Sequence, residues 1–423
     1  MTHASRLAVV NIGQLATLAS PSGSHSPRGP RTGAAMRELG LIADAAMLIE
    51  GGTIRAVGRY ADLRGLLGDA PVIDAGHRLV TPGFIDAHTH LAFAGTRAAE
   101  YEQRIAGASY QEIAAAGGGI QSTVRLTRAA TEDDLLAQAR RHRDWTLRGG
   151  TTTLEAKSGY GLNTETELRL LRVLAALHAE GPVRIVPTLL AAHTVPRERA
   201  DDRAGYLRSI LDELLPVVAS EGLARYCDAF CDDHAFTVDE CRTVLTAAAR
   251  HGLGLRIHAE QFRPGTGAAL AAELRAATAD HLETIDDAAI ALLARASVQP
   301  VLLPASVFCL SRTEYPPARR MIDAGLAVVL ATDFNPGSAP APSMAFTFSL
   351  ACLQMRMTPA EALTAATLNA AYSLGLGEQI GSLEAGKRAD FLMQEIADYR
   401  ELPYFAAAPL RPRVFISGRE VTP

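Results

Sequence analysis

The chain has 423 residues, 48% of them hydrophobic, and a formal net charge of −5, with Lys and Arg scattered rather than clustered. This pattern gives no electrostatic case for nucleic acid or an anionic membrane and points to a small-molecule partner. The N-terminal residues lack a basic segment followed by an apolar one, no apolar run reaches bilayer length, and the five cysteines lack CxxC spacing, so a cytoplasmic protein in a reducing compartment is expected.

In chain order, the run PSGSHSPRGPRTG between Ser20 and Gly33 reads as a long solvated loop carrying Arg28 and Arg31. Ala46 to Glu50 and Thr53 to Gly58 flank Gly51-Gly52, a pair suited to the positive dihedrals of a tight hairpin. From residue 79 apolar strand-like runs alternate with helical stretches. The predicted strands are Leu79 to Ala87, Thr151 to Ala156, Val183 to Ala191, Arg225 to Phe230, Gly254 to Ile257, Ala279 to Leu282, Ser297 to Leu303 and Ala327 to Ala331. Helices are predicted between them, including Glu132 to Arg148, Glu165 to Ala179, Val238 to His251 and Met344 to Met355. Eight β/α units close naturally into a (β/α)8 TIM barrel. Near the end, Arg413 to Ile416 and Arg419 to Val421 read as a second hairpin about Ser417-Gly418. The predicted class is therefore α/β. Residues 79–378 form the barrel, and residues 1–78 and 379–423 form two parts of a small β-sandwich domain.

In such barrels the active site lies at the C-terminal ends of the strands. His88 and His90, two apart on one strand, point to one side and can grip a single metal ion. Glu155 and Lys157 end the second strand, His193 follows the third, His258 ends the fifth, His281 the sixth and Asp333 the eighth. His88, His90, His258 and Asp333 are the predicted metal ligands, a set suited to zinc or iron with room for a water. The metal lowers the pKa of that water towards ~7, and Asp333 accepts a proton as hydroxide attacks. His281 and His193 are left to hydrogen-bond the substrate or polarise its carbonyl. By contrast, His142, His178 and His251 fall within or at the end of helices and read as solvent-facing or capping residues. Cys227 and Cys231 read as small packed hydrophobes, and Gly117-Gly118-Gly119 as a loop without phosphate-binding spacing.

PGFIDAHTH, TDFNPGS and GSLEAGKRADF together resemble the amidohydrolase superfamily. Within it, ASYQEIAAAGGGIQSTVRLTRAA (Ala108 to Ala130), EAKSGYGL (Glu155 to Leu162), HAEQ (His258 to Gln261), ADHLE (Ala279 to Glu283) and TDFNPGS (Thr332 to Ser338) are similar, in order, to the imidazolonepropionase family. The resemblance implies hydrolysis of 4-imidazolone-5-propanoate to N-formimino-L-glutamate in histidine degradation, with one zinc or iron ion per subunit and a homodimeric assembly. It implies that Arg97, Tyr160 and His193 hold the substrate, with Arg97 facing its propionate, and that Asn335, Gly337 and Ser338 are further substrate contacts. Gln261 stands where family members carry Glu or Gln. An uncharged amide can only orient substrate or water, so base duty falls to Asp333, assisted by His281.

Three rival readings remain within reach of the sequence. Superfamily members with a bridged metal pair usually place a carboxylated lysine on the fourth strand, but Arg225-Tyr226-Cys227-Asp228-Ala229-Phe230 offers none, which favours a mononuclear site. Nucleobase deaminases typically carry a glutamate three residues after the strand-five histidine, where Gln261 stands, and Glu260 has the wrong offset. A non-catalytic barrel is the third alternative, and it would be expected to have lost one or more ligands.

Overall fold

The computed structural model describes residues 6–19, 29–107, 112, 117–232, 235–406 and 408–422. Most of the Ser20 to Gly33 run, including Arg28, lies outside these residues, as do part of the Ala108 to Ala130 motif and the Asp233-His234 pair.

The chain folds as a TIM barrel with a small sheet domain. The small sheet uses β1 (Arg6–Ala16), β2 (Leu41–Glu50), β3 (Thr53–Arg59), β4 (Val72–Asp74) and β5 (Leu79–Pro82) from the first part of the chain. The barrel follows with β6 (Phe84–Asp86), β7 (Thr151–Lys157), β8 (Arg184–Ala192), β9 (Tyr226–Cys231), β10 (Gly254–Ala259), β11 (Thr278–His281), β12 (Gln299–Leu302) and β13 (Val329–Leu330). The last strands, β14 (Phe391–Met393), β15 (Arg413–Ile416) and β16 (Arg419–Val421), return to the small sheet. Its order is β16-β15-β14-β5-β1-β2-β3, with β4 sharing an edge of β1 with β5. The β2–β3 turn has positive φ at both Gly51 and Gly52, the conformation that Gly-Gly supplies without a Cβ penalty.

The predicted strand Leu79 to Ala87 divides in two. β5 pairs with β1 and β14 in the small sheet, whereas β6 pairs with β7 in the barrel. Gly83 is the hinge between them, and a Cβ there would collide with the Thr152 side chain. The continuous apolar run hid this break because both halves are buried.

The barrel strands are parallel and run in order from β6 to β13. Their interior alternates with period two, so Tyr226 and Asp228 on β9, Arg256 and His258 on β10, and Thr278 and Asp280 on β11 form successive inward layers. Ile85, Val186, Tyr226, Val301 and Val329 fill the lower part, packed against Leu374 from the chain beyond the barrel. At the upper end the first and last strands meet through the Thr89–Phe334 bridge: Asp333 N–H donates to the His88 carbonyl (3.1 Å) and His90 N–H to that of Phe334 (2.9 Å). Below this seam the Asp86 carboxylate accepts from Thr332 Oγ1 (2.6 Å) and Thr332 N–H (3.0 Å). Burial pushes the Asp86 carboxyl up to about 7 despite these donors. Among the described residues no helix is long and apolar enough to cross a membrane.

Two readings of single residues change. Arg31 is buried, not solvated; its guanidinium donates to the carbonyls of Leu18 (3.0 Å) and Ala19 (2.7 Å). His142 is buried rather than solvent-facing, with Nδ1 2.9 Å from the Leu91 carbonyl and its ring stacked on Phe93 at 4.5 Å.

Candidate active site

His88, His90, His258, His281 and Asp333 converge at the upper rim and are all buried. The ring centroids of His88 and His258 lie 4.6 Å apart, and those of His258 and His281 5.3 Å apart. Asp333 Oδ1 stands 3.5 Å from His88 Nε2 and 3.6 Å from His90 Nε2. Ligating atoms of His88, His90 and Asp333 fall within 4.8 Å of one another, as do those of His88, His258 and His281.

Each of two imidazoles is braced from behind by a carboxylate. His88 Nδ1 lies 2.6 Å from Asp280 Oδ2, and His258 Nδ1 3.1 Å from Asp228 Oδ1. With Nδ1 donating to a carboxylate, Nε2 must present its lone pair. The Nε2 atoms of both rings are buried without a hydrogen-bond partner. Buried nitrogens left unpaired in this way are costly unless something occupies the space they face. Carboxylate-backed imidazoles with exposed lone pairs are what a metal ion requires.

Beneath them lies a fully buried ionic layer. Lys157 Nζ is 2.8 Å from Glu155 Oε1, 2.8 Å from Asp228 Oδ2 and 3.7 Å from Asp280 Oδ2. Arg256 adds contacts to Asp280 at 3.6 Å and Glu155 at 3.8 Å. Burial alone would raise the Asp228 carboxyl, but His258 and Lys157 hold it well below the usual carboxylate range. Together with Asp333, the layer sets four carboxylates against two cations, and a divalent ion on the imidazoles would balance the remainder. The donor set and the charge therefore both fit a metal ion.

Asp333 adopts φ +57°, one of several positive values at this rim alongside Glu260 (+48°), His281 (+78°) and Leu282 (+68°). Such conformations in non-glycine residues persist only where surrounding bonds enforce them. Here Asn335 Nδ2 donates to the Asp333 carbonyl (2.6 Å) and to Ser338 Oγ (2.8 Å), while Asn335 Oδ1 accepts from Gly337 and Ser338 N–H (2.8 Å each). Ser338 Oγ in turn reaches Asp333 Oδ2 at 3.3 Å. Asn335 thus organises the loop, and Ser338 aims the Asp333 carboxylate. Burial raises the Asp333 carboxyl above its ordinary value.

The remaining predicted residues surround this cluster. His193 stacks on His90 at 5.3 Å, and its Nδ1 donates to the Gly159 carbonyl at 2.9 Å. Burial, reinforced by His258, pushes it down to about 4, so the ring is neutral with Nε2 free to accept. Tyr160 is buried between His90 (5.7 Å) and His193 (5.5 Å). Burial disfavours charge on His281, but Glu283, 3.4 Å from its Nδ1, more than compensates and raises its pKa. The Arg97 guanidinium pairs with Glu100 at 2.7 Å and lies over Gly337, where any Cβ would collide with it. Gln261 is buried in the loop after β10, its carbonyl held by Arg312 at 2.8 Å. Glu260 turns away: its carboxylate accepts from the Ala268 amide (3.0 Å), at the start of helix Gly267–Leu274.

Asp228, Asp280, Glu283 and Arg256 received no role from sequence. For Asp228, Asp280 and Arg256 the signal was a charged residue at a buried position within a barrel strand, on or beside the strand of a rim histidine, and for Glu283 a position two residues beyond His281, just past the end of β11.

Comparison with known proteins gives a consistent result. The model of the amidohydrolase family matches residues 79–421. An imidazolonepropionase of Solibacter usitatus is 57% identical over 97% of both chains, and one of Geobacillus thermodenitrificans is 47% identical over 96% of both. Among solved structures, a zinc-bound adenosine deaminase of Xanthomonas campestris (TM-score 0.70, 20% identity, 98% of this chain and 92% of that one) shares the fold. So does a 5-methylcytosine deaminase of Klebsiella pneumoniae (TM-score 0.74, 17% identity, 98% and 97%).

Proposed function

The chain belongs to the amidohydrolase family and stands among its imidazolonepropionases, and from that premise we propose that it hydrolyses 4-imidazolone-5-propanoate to N-formimino-L-glutamate at the rim built by His88, His90, His258 and Asp333. The observation that carries the reading is the pair of carboxylate-backed imidazoles, His88 and His258, whose Nε2 atoms are buried without a hydrogen-bond partner at this rim, that of His88 3.5 Å from Asp333 Oδ1.

A bound zinc or iron ion would supply Lewis acidity at the ring carbonyl and activate water at neutral pH. The chain's own groups divide the rest. Asp333, with Ser338 on its second oxygen, accepts the proton of the attacking water. His281, biased towards its charged form by Glu283, polarises the carbonyl oxygen. Neutral His193 offers a fixed acceptor, and Tyr160 and Gln261 supply hydrogen bonds that orient the ring. Arg97 receives the propionate, exchanging part of its contact with Glu100 for the substrate carboxylate. Water adds across the ring C–N bond: its hydroxyl ends on carbon and its proton on the departing nitrogen.

Deamination has less support, because Gln261 carries no charge and the Glu260 carboxylate is engaged at Ala268. The same reading carries a homodimer, which sedimentation of the purified protein tests, and a cytoplasmic location, which cell fractionation tests.

The direct experiment follows the ultraviolet absorbance of freshly generated imidazolone propionate on purified protein before and after chelation, with metal measured on both samples. Turnover that tracks about one metal per chain is expected. Bound metal without turnover would overturn the substrate assignment and leave the site.

A further inference from the structure

At the end of the barrel opposite the metal-ligand cluster lies a concavity of about 410 Å³, open to solvent and lined by His178, Arg184, Arg225 and Arg388 together with apolar side chains. Its position is set by the start of two barrel strands. Arg184 opens β8 and Arg225 immediately precedes β9, while Arg388 comes from the segment that returns to the small sheet. β8 spans roughly 26 Å from Arg184 to Ala192, and His193 follows it at the other rim.

Three guanidiniums share this space with one carboxylate. Asp390 lies 3.3 Å from Arg388 Nε and also accepts from the Ser417 amide at 2.8 Å. Arg184 donates only to the neutral Gln379 Oε1 (3.1 Å), and Arg225 to the Gly375 carbonyl (3.2 Å). Among the described residues neither arginine is ion-paired. The cations also feel one another: after burial, the charge of Arg388 is the largest influence lowering the Arg184 pKa, and Arg184 and Arg388 both lower that of His178. His178 Nδ1 accepts from the Ile185 amide at 3.2 Å, so in the neutral ring Nε2 carries the proton.

Mutual repulsion among neighbouring cations works against the compact state unless counter-charge offsets it. Here one carboxylate, Asp390, stands against three guanidiniums, in a chain whose overall charge is negative. We propose that this concavity is a binding site for a small oxyanion bearing two negative charges, a phosphoryl group or a dicarboxylate, held by the Arg184 and Arg225 guanidiniums. Planar guanidiniums on the wall of an open cavity give the forked, charge-assisted hydrogen bonds that such oxyanions accept. Pro182, Val183, Val186, Pro187 and Leu376 make the rest of the wall apolar.

The test is equilibrium dialysis of the metal-loaded protein against inorganic phosphate and, separately, glutarate, with ionic strength held constant by sodium chloride. Wild type and the double variant R184Q/R225Q are compared metal-loaded, and His258→Ala, expected to be metal-free, serves as the control for anion binding at the metal rim. Saturable binding near one anion per chain is expected, unchanged by His258→Ala and weakened at least tenfold by the double variant, which keeps its turnover. Binding of phosphate alone identifies the phosphoryl class, of glutarate alone the dicarboxylate class, and of both a site that reads charge only. The proposal is overturned by absence of saturable binding up to ~10 mM of either anion, or by binding that the double variant leaves intact. A change of oligomeric state in the double variant would also overturn it, because the concavity would then be a subunit contact.

Discussion

The Lys157 ammonium stands 2.8 Å from the Asp228 carboxylate, whose other oxygen lies 3.1 Å from His258 Nδ1. A single buried cation therefore reaches a metal-facing imidazole through one intermediary. Lys157→Met should leave Glu155 and Asp228 buried without their counter-charge, at a cost of about 3–5 kcal/mol in stability. Metal affinity should also fall about 10–100-fold, since the brace behind the ring is loosened. Thermal unfolding and competition against a chelator measure the two effects, and an unchanged metal affinity would show that the layer is purely structural.

Removing a ligand outright separates metal retention from folding. His258→Ala should lose both bound metal and turnover while circular dichroism stays that of the parent, because the ring packs at the rim rather than in the helix-facing core. Normal turnover in a metal-free variant would refute the assigned chemistry.

Gly337 permits the Arg97 guanidinium to lie where it does, and a Cβ there displaces it. Gly337→Ala should accordingly raise KM about tenfold or more with a smaller change in kcat, as expected for a weakened charge-assisted contact to the substrate carboxylate. Arg97→Lys should move KM in the same direction. A fall in kcat at constant KM would assign the loop to chemistry instead.

Acid sensitivity has an identifiable source far from the metal. The Glu361 side chain is fully buried and meets Arg37 at 2.9 Å and Arg319 at 3.0 Å. Burial alone would raise its carboxyl, yet Arg319, the Thr358 amide and Arg37 hold it below the ordinary 4.5. A depressed folded-state pKa contributes stability that is complete above 4.5 and lost as pH falls through the lower folded value. The difference in Tm between wild type and Glu361→Gln should therefore be largest near neutrality and shrink below pH ~4.5. A difference independent of pH would locate the effect in packing.

Much of this was visible in the residues themselves. Helices Glu132–Arg148 and Met344–Met355 and the closing hairpin follow the predicted bounds, because caps, Gly turns and apolar periodicity agree there. The rim histidines were visible because each ends an apolar run. The division at Gly83 was hidden, since two buried strands in different sheets read as one run. β1, the longest strand of the small sheet, was hidden because its buried residues do not alternate, an irregularity between Val9 and Ile12 breaking the period of two. The carboxylates Asp228 and Asp280 were hidden for another reason: pairing across neighbouring strands is a property of register, which a single sequence does not contain.

The seam at Thr89–Phe334 joins segments some 245 residues apart, and it is also where the first strand's histidines meet Asp333. During synthesis the imidazoles of His88, His90 and His258 all emerge before Thr332 and Asp333 do. Until those two residues are added, the proposed ligand set is incomplete and the first strand has no partner for its seam. The last ligand arrives with the strand that shuts the cylinder, so an ion captured at that moment would act as a clasp on the finished hoop, and the order of translation itself delays full-strength metal capture until the barrel can close.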